Sequence, residues 1–397
     1  MKAVLLEAIH PDAATALAEA GFDVIQTRHS PPPNELARLA AGAAVLGIRS
    51  RTFIDESVLA ACPGLLAVGA FCVGVEQIDL AACRRRGVAV FNAPYSNTRS
   101  VVELALGEMI MLLRGVFGRS NDLHAGVWTK SADGCREIRG KRLGIVGYGS
   151  IGSQLSVLAE ALGMEVVYYD VAEKLSLGNA RKVAFDELLA TADVVTLHVD
   201  GRPGNQGLFG AREIGLMKPG AVFMNLSRGF VVDMDALADA LASKKLAGAA
   251  IDVFPHESAG NGDPFCCALQ GLPNVILTPH IGGSTEEAQQ NIGRFVAARL
   301  LDYVRLGSAS ASVNLPALHP PRRKDGHRIA HLHDNVPGML ARINDTFGRR
   351  GVNITGQHLD TRGDVGYAVV DFESADGPAL AADVAALPGT ILSRLVY

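Results

Sequence analysis

The 397-residue chain is 48% hydrophobic and 20% charged, with a formal net charge of −4 and 6% aromatic residues. This length exceeds one ordinary core, so two or three domains are expected, and the composition excludes a disordered or fibrous chain. With no long basic block and few aromatic residues, it offers neither the electrostatic footprint nor the stacking platforms of a nucleic-acid binder.

Residues 1–96 alternate short apolar or β-branched runs (3–5, 24–26, 45–48, 65–68, 88–91) with Ala- and Leu-rich helical stretches. That pattern predicts a small parallel α/β sheet. Asn92-Ala93-Pro94 interrupts it, and RSVVELALGEMIMLLR, residues 99–114, reads as a buried or interface helix. RLGIVG opens a second series, with strands expected at 143–146, 165–169, 194–197, 222–225, 249–253 and 275–278. The segments between them are long enough for right-handed helical crossovers. STEEAQQ begins a helix over 284–306, with Ser284 or Thr285 as its cap. GSASASVNLPALHPPRRKDG has the composition of a linker. The remainder reads strand, helix, strand, strand, helix, strand, the ferredoxin-like order.

The fold class is therefore α/β: two doubly wound parallel-sheet domains and a small ferredoxin-like domain. The expected boundaries are a first domain over 1–96 that resumes in a return helix at 284–310, a second over 97–283, a linker over 311–325 and the small domain over 326–397. Cys62, Cys72, Cys83, Cys135, Cys266 and Cys267 show no Cys-x-x-Cys or ligand-spaced histidines, so free thiols in a reducing cytoplasm and no metal site are expected. Neither an export signal nor a membrane span is read.

GYGSIG places Gly147, Gly149 and Gly152 after a predicted strand and at the start of a helix, with Ser150 and Ile151 between. The first glycine permits a sharp turn, the second lets main-chain N–H groups approach a pyrophosphate, and the third brings the helix close to the strand. Asp170 ends the next predicted strand, about 20 residues further on, where a carboxylate accepts from ribose hydroxyls and repels a 2′-phosphate. NAD is the expected cofactor.

Three later segments supply ionisable groups at predicted strand ends. NLSRG offers Arg228, a permanent cation that can grip a carboxylate bidentately; IDVFPHE offers Asp252 and Glu257; TPHIGGST offers His280. An isolated Arg or His is more often structural. At the carboxyl ends of sheet strands, beside a cofactor crevice, these groups suit hydride chemistry with a paired proton transfer.

The glycine fingerprint with NLSRG, IDVFPHE and TPHIGGST resembles the D-2-hydroxyacid dehydrogenase family. YSNTRSVVELALGEMIMLLRG, GYGSIGSQL and HDNVPG resemble the branch whose members oxidise D-3-phosphoglycerate to 3-phosphohydroxypyruvate at the start of serine synthesis. The resemblance covers nearly the whole chain and implies a Rossmann NAD domain, a flavodoxin-like substrate domain and a C-terminal ACT domain. It also implies that Arg228 binds the substrate carboxylate and carbonyl, that His280 transfers the proton, that Glu257 pairs with His280, and that Asp252 belongs to the cofactor site. Arg49, Ser50 and Arg51 in GIRSRTF, with Asn97 and Gln289, are implied for the substrate, the arginines for its phosphate. His333, Asn335 and Asn353 are implied for serine as feedback effector, and Trp128 and Lys130 for a subunit contact within a homotetramer. Reduction of 2-oxoglutarate is a further implied activity. The chain departs from the family pattern at Glu76, Asp200 and Ser258, where Asn, Pro and Pro are usual, and Glu76 adds negative charge near the substrate loop. Alternatives are a hydroxypyruvate or glyoxylate reductase, or a non-catalytic NAD or amino-acid sensor.

Overall fold

The computed structural model describes every residue except 259–261, 324 and 375. It divides into two units, one formed by Met1–Ser96 with Gln289–Tyr397 and the other by Asn97–Ala288.

The first unit begins with β1 (Lys2–Leu5), β2 (Asp23–Gln26), β3 (Ala43–Ile48), β4 (Ala67–Ala70) and β5 (Ala89–Phe91), all parallel in the order β2-β1-β3-β4-β5. This is the flavodoxin-like doubly wound arrangement. Every residue of β3 is buried, as a central strand covered on both faces requires. The fourth strand starts later than its apolar run, because Leu65 N–H is spent on a turn to the Cys62 carbonyl.

The second unit carries β6 (Arg142–Val146), β7 (Glu165–Tyr169), β8 (Arg181–Lys182), β9 (Val194–Leu197), β10 (Ala221–Asn225), β11 (Leu246–Ile251) and β12 (Val275–Leu277). They form one parallel sheet in the order β12-β11-β10-β9-β6-β7-β8. β8 is absent from the sequence reading because its two residues are exposed and cationic, with no apolar signal. Strand order reverses between β6 and β9, which opens a crevice at their carboxyl ends. Helix Thr98–Arg114 buries Val101, Val102, Ala105, Met109, Leu112 and Leu113, a stripe shared with helix Ser150–Ala161.

The chain returns to the first unit through helix Glu286–Leu306, whose Val296 and Leu300 lie so close to β4 that a Cβ on Gly69 would meet them at 2.8 and 2.9 Å. Thr285 caps this helix, its hydroxyl accepting from Ala288 N–H at 3.2 Å. Where composition predicts a linker over 311–325, Ser312 and Asn314 are buried against β5: Asn314 accepts from Val90 N–H and donates to the Val88 carbonyl, both at 2.8 Å. The Ser- and Asn-rich composition serves main-chain pairing there, not flexibility.

The last four strands, β13 (His327–Asp334), β14 (Ile354–Arg362), β15 (Val365–Phe372) and β16 (Thr390–Leu395), form an antiparallel sheet in the ferredoxin-like order β14-β15-β13-β16. Alternation divides β13 between two cores. Ile329 packs with Phe347 and Leu380 of the domain's own helices, whereas Ala330 and Leu332 join Phe91, Tyr303 and Leu315. Polar contacts reinforce this seam: Tyr367 donates to the Gly307 carbonyl at 2.8 Å and Arg394 to that of Val304 at 2.9 Å. Arg328, 0% exposed, donates to Asp371 at 2.6 and 2.8 Å and to the carbonyls of Leu306 and Pro321 at 2.9 and 2.7 Å.

No helix among the described residues is long and apolar enough to cross a membrane. Asp371→Ala would strand the Arg328 guanidinium in the interior, and a loss of about 3–5 kcal/mol is expected in urea unfolding followed by the far-UV signal. Loss below about 1 kcal/mol would mean that the two main-chain carbonyls suffice for the cation.

Candidate active site

The glycine turn between β6 and helix Ser150–Ala161 is sterically specified. Gly147 has φ +94°, and a Cβ there would lie 2.6 Å from the His198 carbonyl oxygen, while one on Gly152 would lie 2.3 Å from that of Gly147. A Cβ on Gly149 would meet nothing within 4 Å, so the main chain is open at that point, and no side chain caps the helix it begins. Ser150 and Ile151 form the first turn, where helical N–H groups and the positive end of the helix dipole favour an anion. Asp170 holds the turn from below, accepting from Tyr148 N–H and Ala172 N–H at 2.8 Å each, one on either oxygen. A cavity of about 360 Å³ adjoins, lined by Tyr148, Gly149, Ser150, Ser153, Lys174 and Leu177 among others. The residues present therefore fit a dinucleotide.

His198 escaped the sequence reading. It is bonded through Nε2 to Thr196 at 3.0 Å, while its buried Nδ1 has no partner. Burial pushes its pKa down to about 4, which keeps the ring neutral beside the glycine turn. Asp200, at one of the departures from the family pattern, is paired with Arg202 at 2.7 Å.

Arg228 follows β10 in a turn locked by Asn225. The Asn225 amide oxygen accepts from Ser227 N–H at 3.1 Å and Ser227 Oγ at 2.7 Å, and its Nδ2 donates to the Arg228 carbonyl at 3.0 Å. A Cβ on Gly229 would lie 1.9 Å from the Phe254 carbonyl carbon, so the segments bearing Arg228 and Glu257 meet backbone to backbone. One Arg228 nitrogen, Nη1, donates to the Ser227 carbonyl at 2.8 Å, which orients the guanidinium.

His280 takes the left-handed conformation, φ +53°, and its N–H donates to the Asp252 carbonyl at 2.8 Å. Such a backbone costs roughly 1–3 kcal/mol unless the surroundings impose it. Here Asp252 imposes it: the carboxylate, 2% exposed, accepts from Thr278 Oγ1 at 2.6 Å, Ile281 N–H at 2.8 Å and Gly282 N–H at 2.9 Å. His280 Nδ1 lies 3.0 and 3.1 Å from the two Glu257 oxygens. That hydrogen bond and the carboxylate charge raise the imidazole pKa above its ordinary value, against desolvation and the nearby Arg228 cation. Burial alone would raise Glu257, but His280 prevails and holds it below the usual carboxylate range. Asp252 is raised by burial, opposed by its three donors.

A further acid lies near this group. Glu108, 1% exposed on helix Thr98–Arg114, is pushed up to about 8, first by burial and then by the charge of Asp252. Its only sequence signal was a carboxylate inside an otherwise apolar run. Asn97, at the start of that helix, also reaches the loop after His280: a Cβ on Gly283 would lie 2.4 Å from its Nδ2.

The other expected residues are distributed differently. Arg49, Ser50 and Arg51 follow β3 in the first unit, Arg49 half-buried and the other two exposed, and Gln289 is half-buried on the return helix. In the small domain Asn335 and Asn353 are exposed, but His333 is only 3% exposed, its Nδ1 donating to the Asp334 carbonyl at 2.9 Å and its Nε2 without a partner. Trp128 is 79% exposed and fills no core of its own chain, and Lys130 is exposed beside it. Among the described residues no group of three or more His, Cys, Asp or Glu could hold a metal ion.

Residues 106–282 match the family of the D-isomer specific 2-hydroxyacid dehydrogenase NAD binding domain, and residues 329–392 match the AHAS small subunit-like ACT domain. The chain is 50% identical to the D-3-phosphoglycerate dehydrogenase of Escherichia coli strain K12, across 100% of this chain and 98% of that one. It is 47% identical to that of Haemophilus influenzae, across 100% and 97%. The crystal structure of D-lactate dehydrogenase from Aquifex aeolicus, complexed with NAD and lactic acid, superposes with a TM-score of 0.69 at 25% identity, over 79% of this chain and 100% of that one.

Glu257→Gln removes the charge that favours the imidazolium. The His280 pKa, followed by NMR titration of the ring protons, is expected to fall, toward or below the ordinary histidine value. An unchanged titration would mean that another group sets it.

Proposed function

The chain belongs to the D-isomer specific 2-hydroxyacid dehydrogenases, and from that premise we propose that it oxidises D-3-phosphoglycerate to 3-phosphohydroxypyruvate with NAD, the first step of L-serine biosynthesis. The observation that carries this reading is the Glu257–His280 pair, 3.0 Å apart and within electrostatic reach of Arg228, in a chain half identical over its full length to D-3-phosphoglycerate dehydrogenases.

NAD, when bound, supplies the acceptor for the hydride on C2 of the hydroxy acid. Gly147, Gly149, Ser150, Ile151 and Gly152 would hold its pyrophosphate, Asp170 its adenosine ribose, and Asp252 would border the nicotinamide end. Arg228 would bind the substrate carboxylate and the oxygen on C2, fixing the reacting carbon and favouring negative charge as the hydroxyl proton leaves. Neutral His280 would take that proton through Nε2. Because Glu257 engages Nδ1–H, the tautomer presenting a free Nε2 is selected, and the resulting imidazolium is stabilised where it forms. Oxidation needs neutral imidazole, so its rate should climb as pH rises through the elevated His280 pKa. Reduction needs the imidazolium and should fall over the same interval.

Arg49, Ser50 and Arg51 would meet the substrate phosphate, with Asn97 and Gln289 as further polar contacts. The match of residues 329–392 to an ACT domain supports serine as an effector at His333, Asn335 and Asn353. The exposed Trp128, with Phe117 and Leu123 at 45% and 55% exposure, supports burial against a second copy in a homotetramer. Six free thiols suit the reducing cytoplasm.

Purified protein should form NADH from D-3-phosphoglycerate far faster than from D-glycerate, with millimolar serine suppressing the rate. His280→Ala should lower kcat by about 10²–10⁴-fold while the Kd for NAD stays the same. Unaltered turnover in that variant would remove His280 from the reaction, and equal rates on both acids would remove the phosphate from the specificity.

A further inference from the structure

At the end of β1 the chain enters Glu7 and Ala8, both left-handed at φ 61° and 53° although neither is glycine. Their N–H groups are fixed to the carbonyls of His29 and Thr27 at 3.3 and 3.0 Å. This conformation turns the Glu7 carboxylate, 7% exposed, beneath the turn that follows β3. Oε1 accepts from Arg49 N–H at 3.2 Å and Thr52 N–H at 2.9 Å, and Oε2 accepts from Arg51 N–H at 3.0 Å. Gln77 Nε2 donates to the Arg49 carbonyl at 2.5 Å, and Thr52 Oγ1 shares a 2.8 Å hydrogen bond with Ser30 Oγ.

Convergent main-chain N–H groups in a turn make an anion-binding nest. In this turn an internal anion fills it. A phosphate arriving at GIRSRTF would therefore find these three N–H groups already engaged and would be recognised by the Arg49 and Arg51 side chains, carried on a turn whose shape is set from below. Three donors need both oxygens of a carboxylate. An amide offers one oxygen, and its NH₂ would confront a main-chain N–H.

We propose that Glu7 is a positioning residue for substrate specificity: by holding the N–H groups of Arg49, Arg51 and Thr52, it sets the turn from which the two guanidiniums bind the phosphate of the substrate. The proposal rests on the reading that Arg49 and Arg51 bind that phosphate. It assigns Glu7 no contact with the reacting atoms, so its effect should fall on KM for the phosphorylated acid and spare the chemical step.

In Glu7→Gln, KM for D-3-phosphoglycerate should rise about 10-fold or more, with kcat and the Kd for NAD within twofold and kcat/KM for D-glycerate unchanged. Amide hydrogen exchange over residues 49–52 should accelerate in the same variant. Glu7→Asp keeps the charge but withdraws it by one methylene; it should show the same pattern at smaller amplitude, and it serves as the test if the Gln variant does not fold. Equal losses on both substrates, or an unchanged KM for the phosphorylated acid together with unchanged exchange, would overturn the proposal. Arg49→Met/Arg51→Met separates the two readings. If that pair leaves KM for D-3-phosphoglycerate unaltered, the phosphate assignment fails, whereas exchange over 49–52 in Glu7→Gln still decides whether Glu7 sets the turn.

Discussion

Asp252 carries its carboxylate almost out of contact with water, and the loop that presents His280 is built on it. A charge so placed is costly unless hydrogen-bonded on both oxygens, and here Thr278, Ile281 and Gly282 supply the donors. The same residue's carbonyl accepts from His280 N–H, so one residue fixes both ends of a left-handed turn. With the Gly229–Phe254 contact, this brings the ends of β10, β11 and β12 to one place. The placement of Arg228, Glu257 and His280 depends on that backbone arrangement before it depends on their charges.

The charges are then graded by environment. Glu257 and His280 share a hydrogen bond that lowers one pKa and raises the other, so carboxylate and imidazolium stabilise each other. Two acids on the protein side move the opposite way: Asp252 rises, and Glu108 rises to about 8, so that a second negative charge is withheld there at pH 7. Burial is the first cause in both. Two ionised carboxylates side by side in the interior would compete for the same donors; one neutral acid and one carboxylate can coexist.

In the first unit the same economy of buried charge appears twice. Glu7 is spent on three main-chain donors of one turn, and Arg328 with Asp371 ties the small domain to the chain leaving the return helix. These polar contacts accompany an apolar seam of Phe91, Tyr303, Leu332 and Tyr367. The ferredoxin-like sheet thus buries one face against its own helices and the other against the substrate-type lobe, which explains why β15 is buried at all eight positions.

Sequence alone determined the order of the main elements and the glycine turn with Asp170, and it singled out Arg228, Glu257 and His280 as candidates, because each is written in local patterns: a period of two or 3.6 residues, or glycines and ionisable groups at strand ends. It did not determine β8, whose two exposed cationic residues pair only because β7 offers an edge, nor the burial of residues 312–315, whose polar side chains read as a linker until β5 supplies partners. Glu7, Glu108 and His198 were equally silent. A buried ionisable residue has no local signature, since its role comes from groups distant in sequence: donors 42–45 residues away for Glu7, and for Glu108 the burial that the fold imposes, followed by the charge of Asp252. Tertiary structure decided these because desolvation and hydrogen-bond satisfaction are properties of the folded surroundings, not of the residue or its neighbours in the chain.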